Sequence, residues 1–326
     1  MFNLTQLREA ADIVHRVICP TPHYDWPQLR QSTGCDVWVK HENHTPTTAF
    51  KVRGGVHLVS RLMASKNRPK GLISATRGNH GQSLSFAGAR ANLPVTIVVP
   101  ECNSPDQNRA IEAFGADLII HGKDFEEARQ HSLMLQEEFD YLPIAPFARD
   151  LVIGVASYAL ELLSAIKDFH TVYVPVGMGS GIAGLIKTRD LLGLKTEIVG
   201  VVAQGAPTFA LSFEAGYIVT TEGADTIADG VATSAPMEEA FDIIKHGASR
   251  IVRVSDTEIA AAMYQYYKMT HNLAEGAGAV PLAALVKEQE QMKGKKVGLI
   301  LTGGNIDFER FSRYVARYLE NDQARS

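Results

Sequence analysis

Between residues 71 and 148, short apolar runs alternate with stretches whose apolar positions recur at helical spacing. Leu72–Ala75 and Val95–Val99 predict strands, and Asn79–Asn92 between them predicts a helix. Ser104 and Pro105 supply an N-cap and a first-turn proline for a helix reaching Phe114. Asp117–His121 then predicts a strand and Asp124–Glu138 a charged amphipathic helix. A second series follows: strand Val172–Val176, a glycine-rich turn and helix, strand Glu197–Ala203, and the run IVRV at 251–254 leading through Ser255 and Asp256 into a helix. It closes with strand Val297–Leu301, the turn TGGN and a helix from Asp307. Such alternation predicts an α/β fold of two open parallel-sheet lobes. The alternation pauses near residue 149. The expected organisation is therefore a small inserted α/β domain, 71–148, within a large discontinuous domain, 1–70 and 149–326, with Arg149–Val152 as the return crossing. No repeat of solenoid period is visible.

Composition narrows the function classes. The chain has 326 residues, 45% hydrophobic and 21% charged, which is ordinary for a folded protein of two domains. A net charge of -4 leaves no general cationic surface for nucleic acid, so a small molecule is the expected partner. The start, MFNLTQLREAADIVHRV, reads as an amphipathic helix and not a signal peptide. No apolar run approaches the roughly 18 residues needed to span a bilayer, so no membrane association is expected. Three dispersed cysteines, Cys19, Cys35 and Cys102, fit a reducing cytoplasm, each as a small buried hydrophobe.

The unusual residues fall in turns after strands, where open parallel sheets bind ligands. These turns are TRGNHGQ at 76–82, GMGSG at 177–181 and TGGN at 302–305; with PTTAFKVRGG at 46–55 they are expected to face a single cleft. GMGSG lies between a strand and a helix, so its backbone N–H groups can converge on an oxyanion with the positive helix end behind it. It reads as a phosphate cradle or as an ordinary strand-to-helix turn. A P-loop would need GxxxxGK followed by Ser or Thr, which is absent. A dinucleotide fingerprint would need glycine at Ile182 and an acid at Gln204, so NAD is disfavoured. Lys51 opens an apolar helix, striped by Val52, Val56, Val59 and Met63, with Arg53 as a second cation expected beside it. A lysine used as a nucleophile or base needs desolvation or a cationic neighbour to lower its pKa.

The runs KHENHTPTTAFKVRGG, ATRGNHGQ, VPVGMGSGIAG, TIADGVA, AEGAGAVPLAAL and LTGGN, in this order, resemble the fold-type II (tryptophan synthase β-like) pyridoxal-phosphate enzymes. The match is closest to the serine/threonine dehydratase and serine racemase group, from about residue 17 to the end. The resemblance implies pyridoxal 5'-phosphate in the cleft between the lobes. Lys51 would bind it as a Schiff base and act as base at the substrate α-carbon. Phe50 would pack on the cofactor ring, Asn79 would bond its 3′-oxygen, and the backbone of Gly177, Met178, Gly179, Ser180 and Gly181 would hold its phosphate. Thr302 would face the pyridine nitrogen and Glu275 would lie nearby. A hydroxyl leaves that nitrogen largely unprotonated, which favours elimination over transamination. Helix-terminus logic places the substrate carboxylate at the Thr76 hydroxyl and the N–H groups of Gly78, Asn79 and His80, with His80 either an acid/base group or structural. The implied activity is dehydration and deamination of a β-hydroxy amino acid to a 2-keto acid and ammonia, in a homodimer.

Several positions depart from the family. Arg77 replaces the serine that reprotonates the opposite face in the racemase; a guanidinium cannot do so, which leaves substrate binding or a surface ion pair. Gln204 and Ala210 replace an acidic pair that holds a divalent cation, so no metal is expected. Tyr158 replaces a small aliphatic residue and is expected to reshape the pocket; bulkier substrates such as phenylserine, threo-3-hydroxyaspartate, whose second acid group Arg77 could bind, and a role in catabolism of hydroxyectoine-type compounds stay open. The chain stops soon after the TGGN helix, so no regulatory domain is expected. A racemase or β-replacement synthase of the same fold is the alternative, and a nicotinamide-dependent dehydrogenase a more distant one.

Overall fold

The structure is a computed structural model and describes residues 1–323. Its strands in chain order are β1 (His23–Asp25), β2 (Asp36–His41), β3 (Leu72–Ala75), β4 (Val95–Val99), β5 (Asp117–Ile120), β6 (Leu142–Pro143), β7 (Thr171–Pro175), β8 (Glu197–Ala203), β9 (Arg250–Val254) and β10 (Lys296–Leu301). They form two sheets, and the chain divides into two compact units.

The first unit comprises Met1–Cys19 and Thr45–Ser157. Its sheet has the order β5-β4-β3-β6, all parallel, with Leu72 opposite Val95 and Thr96 opposite Asp117. Strand β4 is buried at all five positions, as a parallel strand covered on both faces must be. The edges are blunted: β5 exposes Asp117 and Ile120, and two-residue β6 carries Pro143, which has no N–H to offer a further strand. The helix Lys51–Ala64 buries Val52, Val56 and Val59 in a core shared with Val14, Leu84 and Ile97, and Met63 packs at its margin. Against it lies the helix Arg149–Val155. A Cβ on Gly54 would come 2.9 Å from the Leu151 carbonyl oxygen, and one on Gly154 would come 2.6 Å from that of Arg53, so the two backbones touch through glycine.

That contact moves the division of the chain away from 71 and 148. Arg149–Val152, expected as the return crossing, is helical and stays in the first unit; the chain leaves it only between Ser157 and Tyr158. The amino-terminal helix Leu4–His15 packs on both of these helices and belongs to the first unit too, its start fixed by a capping box of Asn3 and Gln6.

The second unit comprises Pro20–His44 and the chain from Tyr158. Its sheet runs β1-β2-β10-β7-β8-β9, with β1 antiparallel to β2 and every other pair parallel. Val37, Val39, Tyr173, Val199, Val201 and Leu299 of these strands share one core with Val280 and Leu282 of the helix Gly276–Lys287. Ser255 and Glu258 form the expected helix start as a capping box. Of the cysteines only Cys35 is buried; Cys19 and Cys102 are exposed, contrary to expectation, because both lie in loops outside the sheets and helices. Among the described residues no helix is long and apolar enough to cross a membrane.

Candidate active site

In the first unit, Thr45–Phe50 forms a tight loop that delivers Lys51 to a helix start. The Thr45 hydroxyl accepts from the Ala49 N–H at 2.9 Å and donates to the Ala49 carbonyl at 2.8 Å, while Thr48 takes a left-handed φ of 49°. Lys51 is the first helical residue and is half-buried, with Nζ 5.4 Å from the centroid of the Phe50 ring. Its backbone is fixed from the side: the Ser83 hydroxyl donates to the Lys51 carbonyl at 2.7 Å, and a Cβ on Gly55 would overlap that hydroxyl. Ser83 is a site residue that sequence reasoning missed; its only signal is a small polar residue one turn into the Asn79 helix.

Arg53 does not stand beside the lysine. Two residues are about 200° around a helix, and Arg53 is fully buried with Nη1 donating to the Ser157 hydroxyl at 3.0 Å. The group that does sense Lys51 is His80. Burial first, and then the Lys51 charge, press its pKa down to about 3, and its Nε2 lies 3.4 Å from the Ile144 carbonyl. His80 is therefore neutral at physiological pH. A neutral, buried ring bonded to the backbone accords with the structural reading of His80.

Asn79 opens the helix Asn79–Arg90 directly after the β3 turn. The Thr76 hydroxyl is turned back onto the Gly78 N–H at 3.3 Å, which takes that N–H out of the expected carboxylate cradle. Gly78 has extended backbone, and a Cβ there would come 2.7 Å from Gln107 Oε1. Arg77 is exposed, and no ion pair of its side chain occurs among the described residues.

In the second unit, GMGSG runs from the end of β7 into the helix Ser180–Leu191. Only Gly179 of this turn needs a left-handed backbone, φ 92°; Met178 and Ser180 do not, which accounts for their tolerance of side chains. A Cβ on Gly177 would overlap the Gly230 carbonyl, so the TIADG loop backs the turn. The Tyr158 hydroxyl donates to the Gly181 carbonyl at 3.0 Å from a fully buried position. Tyr158 thus braces the turn through its hydroxyl. The arrangement fits a phosphate: a twelve-residue helix with its amino-terminal N–H groups behind a turn that carries no bulk at Gly177, Gly179 and Gly181.

Thr302 is buried at the end of β10. Glu275, also buried, stands at the start of the Gly276–Lys287 helix without capping it through its side chain, and its N–H donates to the Gly303 carbonyl at 3.1 Å. A Cβ on Gly276 would come 2.8 Å from Ala228 Cα and one on Gly278 would come 2.5 Å from the Gly303 oxygen. AEGAGA therefore packs its backbone on both TIADG and TGGN, and the second unit gathers Glu275, Thr302 and Gly177–Gly181 on connected loops. Ala210 is buried and Gln204 exposed, and no group of three His, Cys, Asp or Glu side chains that could hold a metal ion occurs among the described residues.

The family model described as pyridoxal-phosphate dependent enzyme matches residues 14–303. An L-threonine ammonia-lyase of Geobacter sulfurreducens is 33% identical over 98% of this chain and 79% of its own length. An L-threo-3-hydroxyaspartate ammonia-lyase of Saccharomyces cerevisiae is 30% identical, covering 94% of each chain. The solved structure of the processed form of threonine deaminase isoform 2 from Solanum lycopersicum superposes with a TM-score of 0.89 at 30% identity, over 97% of this chain and 94% of that one.

Proposed function

Since the chain belongs to the pyridoxal-phosphate dependent enzyme family, we propose that it is an ammonia-lyase acting on a β-hydroxy amino acid, with Lys51 as the lysine that carries the cofactor. The observation that supports this most is the setting of Lys51: a half-buried amine on a helix start pinned by Ser83 and backed by neutral His80. The relatives named for threonine and threo-3-hydroxyaspartate set the substrate class.

Pyridoxal phosphate, when bound, draws electrons from the substrate's α-carbon and weakens its C–H bond. Gly177–Gly181 would hold the phosphate by backbone N–H groups, Phe50 would cover the ring, and Asn79 and Glu275 would border it. Thr302 would offer the ring nitrogen a neutral hydroxyl, which would not hold a proton on it. The Asn79 and His80 N–H groups, with the Thr76 hydroxyl, orient the substrate carboxylate, and the exposed guanidinium of Arg77 adds a charge for it or for a second acid group. Lys51 takes the α-proton. The β-hydroxyl leaves as water, and hydrolysis of the released enamine gives a 2-keto acid and ammonia. No second base stands at Arg77, so proton transfer is one-sided and racemisation is weak. A homodimer in the cytoplasm completes the proposal, with sedimentation as its check.

The test is a panel of L-threonine, L-serine, phenylserine and threo-3-hydroxyaspartate, with keto acid and ammonia measured together and residual substrate resolved by chirality. Equal yields of both products from at least one substrate are expected, with no inversion of the remainder. No keto acid from any of them, or inversion without ammonia, overturns the reading.

A further inference from the structure

The loop that carries Glu275 is tied to the exit of β2 by a one-way chain of hydrogen bonds. An indole N–H can only donate, so the contact of Trp26 Nε1 with His41 Nε2 at 3.0 Å makes that ring nitrogen an acceptor and places the His41 proton on Nδ1. His41 Nδ1–H then donates to Asn43 Oδ1 at 3.3 Å, and Asn43 Nδ2 donates to Asn272 Oδ1 at 3.1 Å. Asn272 Nδ2 ends the chain on the Thr270 carbonyl at 2.9 Å. His44 Nε2 reaches the same Asn272 oxygen at 2.8 Å. The two amide orientations follow from these contacts, Oδ1 of each asparagine accepting and Nδ2 donating.

The chain runs from the end of β2 through Asn43 and His44, which sit in a 3-10 turn, Glu42–His44, to the segment after the helix Asp256–Thr270. Trp26 and His41 are packed edge to face at 5.7 Å, and His41 ends β2. The helix Asp256–Thr270 stops at His271, in left-handed conformation with φ 52°, and Asn272 is the next residue. Three residues further on, Glu275 bonds Gly303, and the Leu273 carbonyl lies 2.8 Å from where a Gly304 Cβ would stand. Segment 272–275 is therefore fixed by Asn272 on one side and seated against the loop of Thr302 on the other.

We propose that Asn272, held by Asn43 and His44, is a positioning residue for Glu275 and Thr302. The inference rests on the reading of those two residues as the ring-nitrogen end of the cofactor site. Side chains act on bound groups within tenths of an ångström, so a loop released at Asn272 loosens that end without touching the lysine or the phosphate turn.

The experiment uses the holoenzyme and the variants Asn272→Leu, Asn43→Ala, His44→Ala and the double variant N43A/N272L. The readouts are cofactor affinity, the absorption band of the bound cofactor, and kcat and KM separately. Asn272→Leu and Asn43→Ala should each weaken cofactor binding 5-fold or more, change the band, and lower kcat more than they raise KM. The double variant should lose no more than Asn272→Leu alone, since both remove one connection. Asn272→Asp, which keeps the oxygen that Asn43 and His44 use, should recover most of the loss. Should Asn272→Leu fail to fold, half-buried Asn43 and exposed His44 carry the same comparison. Variants with wild-type band, affinity and kcat, and only a lower melting temperature, overturn the inference. Wild-type protein that binds no cofactor overturns the parent reading instead.

Discussion

Replacing Gly179 with alanine tests the phosphate turn at its tightest point. The backbone there has φ 92°, where an L side chain is strained by about 1–2 kcal/mol. The added Cβ would also come 2.7 Å from the Ala240 Cβ, whereas carbons pack at about 3.5–4.0 Å, so the turn must retreat by nearly 1 Å. Overpacking of this size costs about 1–3 kcal/mol. The turn is a loop, and part of this strain can relax by displacing the N–H groups that face the phosphate. A loss of 10- to 100-fold in cofactor affinity, about 1.4–2.8 kcal/mol, is expected. Titration of the apoprotein with pyridoxal phosphate, followed by its absorption, measures this directly. Two controls separate the causes. Gly193→Ala has the same kind of backbone, φ 65°, with nothing within 4 Å, and should cost stability but no affinity. Gly223→Ala, in open space and without left-handed backbone, should change neither. Wild-type cofactor affinity in Gly179→Ala, with stability lost as in Gly193→Ala, would refute the assignment of the cradle.

Tyr158→Phe removes the donor to the Gly181 carbonyl and should cost about 1 kcal/mol in denaturant unfolding while leaving the order of substrate preference unchanged; a reordered preference would return Tyr158 to the pocket. His41 is held neutral because burial, and then His44, lower its pKa from 6.5 to about 4. Its stabilising contribution is complete above pH 6.5 and is lost as pH falls towards 4, when the unfolded chain takes a proton that the folded ring refuses. Roughly 3 kcal/mol is at stake over that window, and His41→Gln should flatten the acid limb of unfolding measured from pH 7 to pH 4.5. An equally steep limb in the variant contradicts the account. Arg77→Ala should leave stability within about 0.5 kcal/mol, because the side chain is exposed and has no ion pair among the described residues. It should raise KM about tenfold or more if the guanidinium binds substrate; an unchanged KM removes Arg77 from the site.

The sheets were legible because buried parallel strands are apolar runs bounded by turn residues, and β3, β4, β7, β8 and β10 fall within one residue of where those runs place them, as does half-buried β9. Helix starts at Ser104, Asp124 and Ser255 were legible from their capping side chains, all of which accept the expected N–H bonds. The edges of the units were not, because the close approach of Gly54 and Gly154 joins helices about 100 residues apart in the chain, and neither glycine carries a periodic signal. Arg53 was misplaced because neighbours in sequence were treated as neighbours in space, against the helical rotation. The bond of the Tyr158 hydroxyl to the Gly181 carbonyl has no signal along the chain, since 23 residues separate the two. Asn43 and Asn272 could not be paired by reading along the chain, since 229 residues separate them and neither lies in a periodic segment.

Lys51 is the residue on which the account turns, and borohydride reduction of the holoenzyme followed by peptide mapping tests it most directly. The account expects a single pyridoxyl label on the peptide carrying Lys51, with activity lost in proportion to labelling. A label on another lysine, or a protein that takes up pyridoxal phosphate reversibly and is not fixed by borohydride, would contradict it.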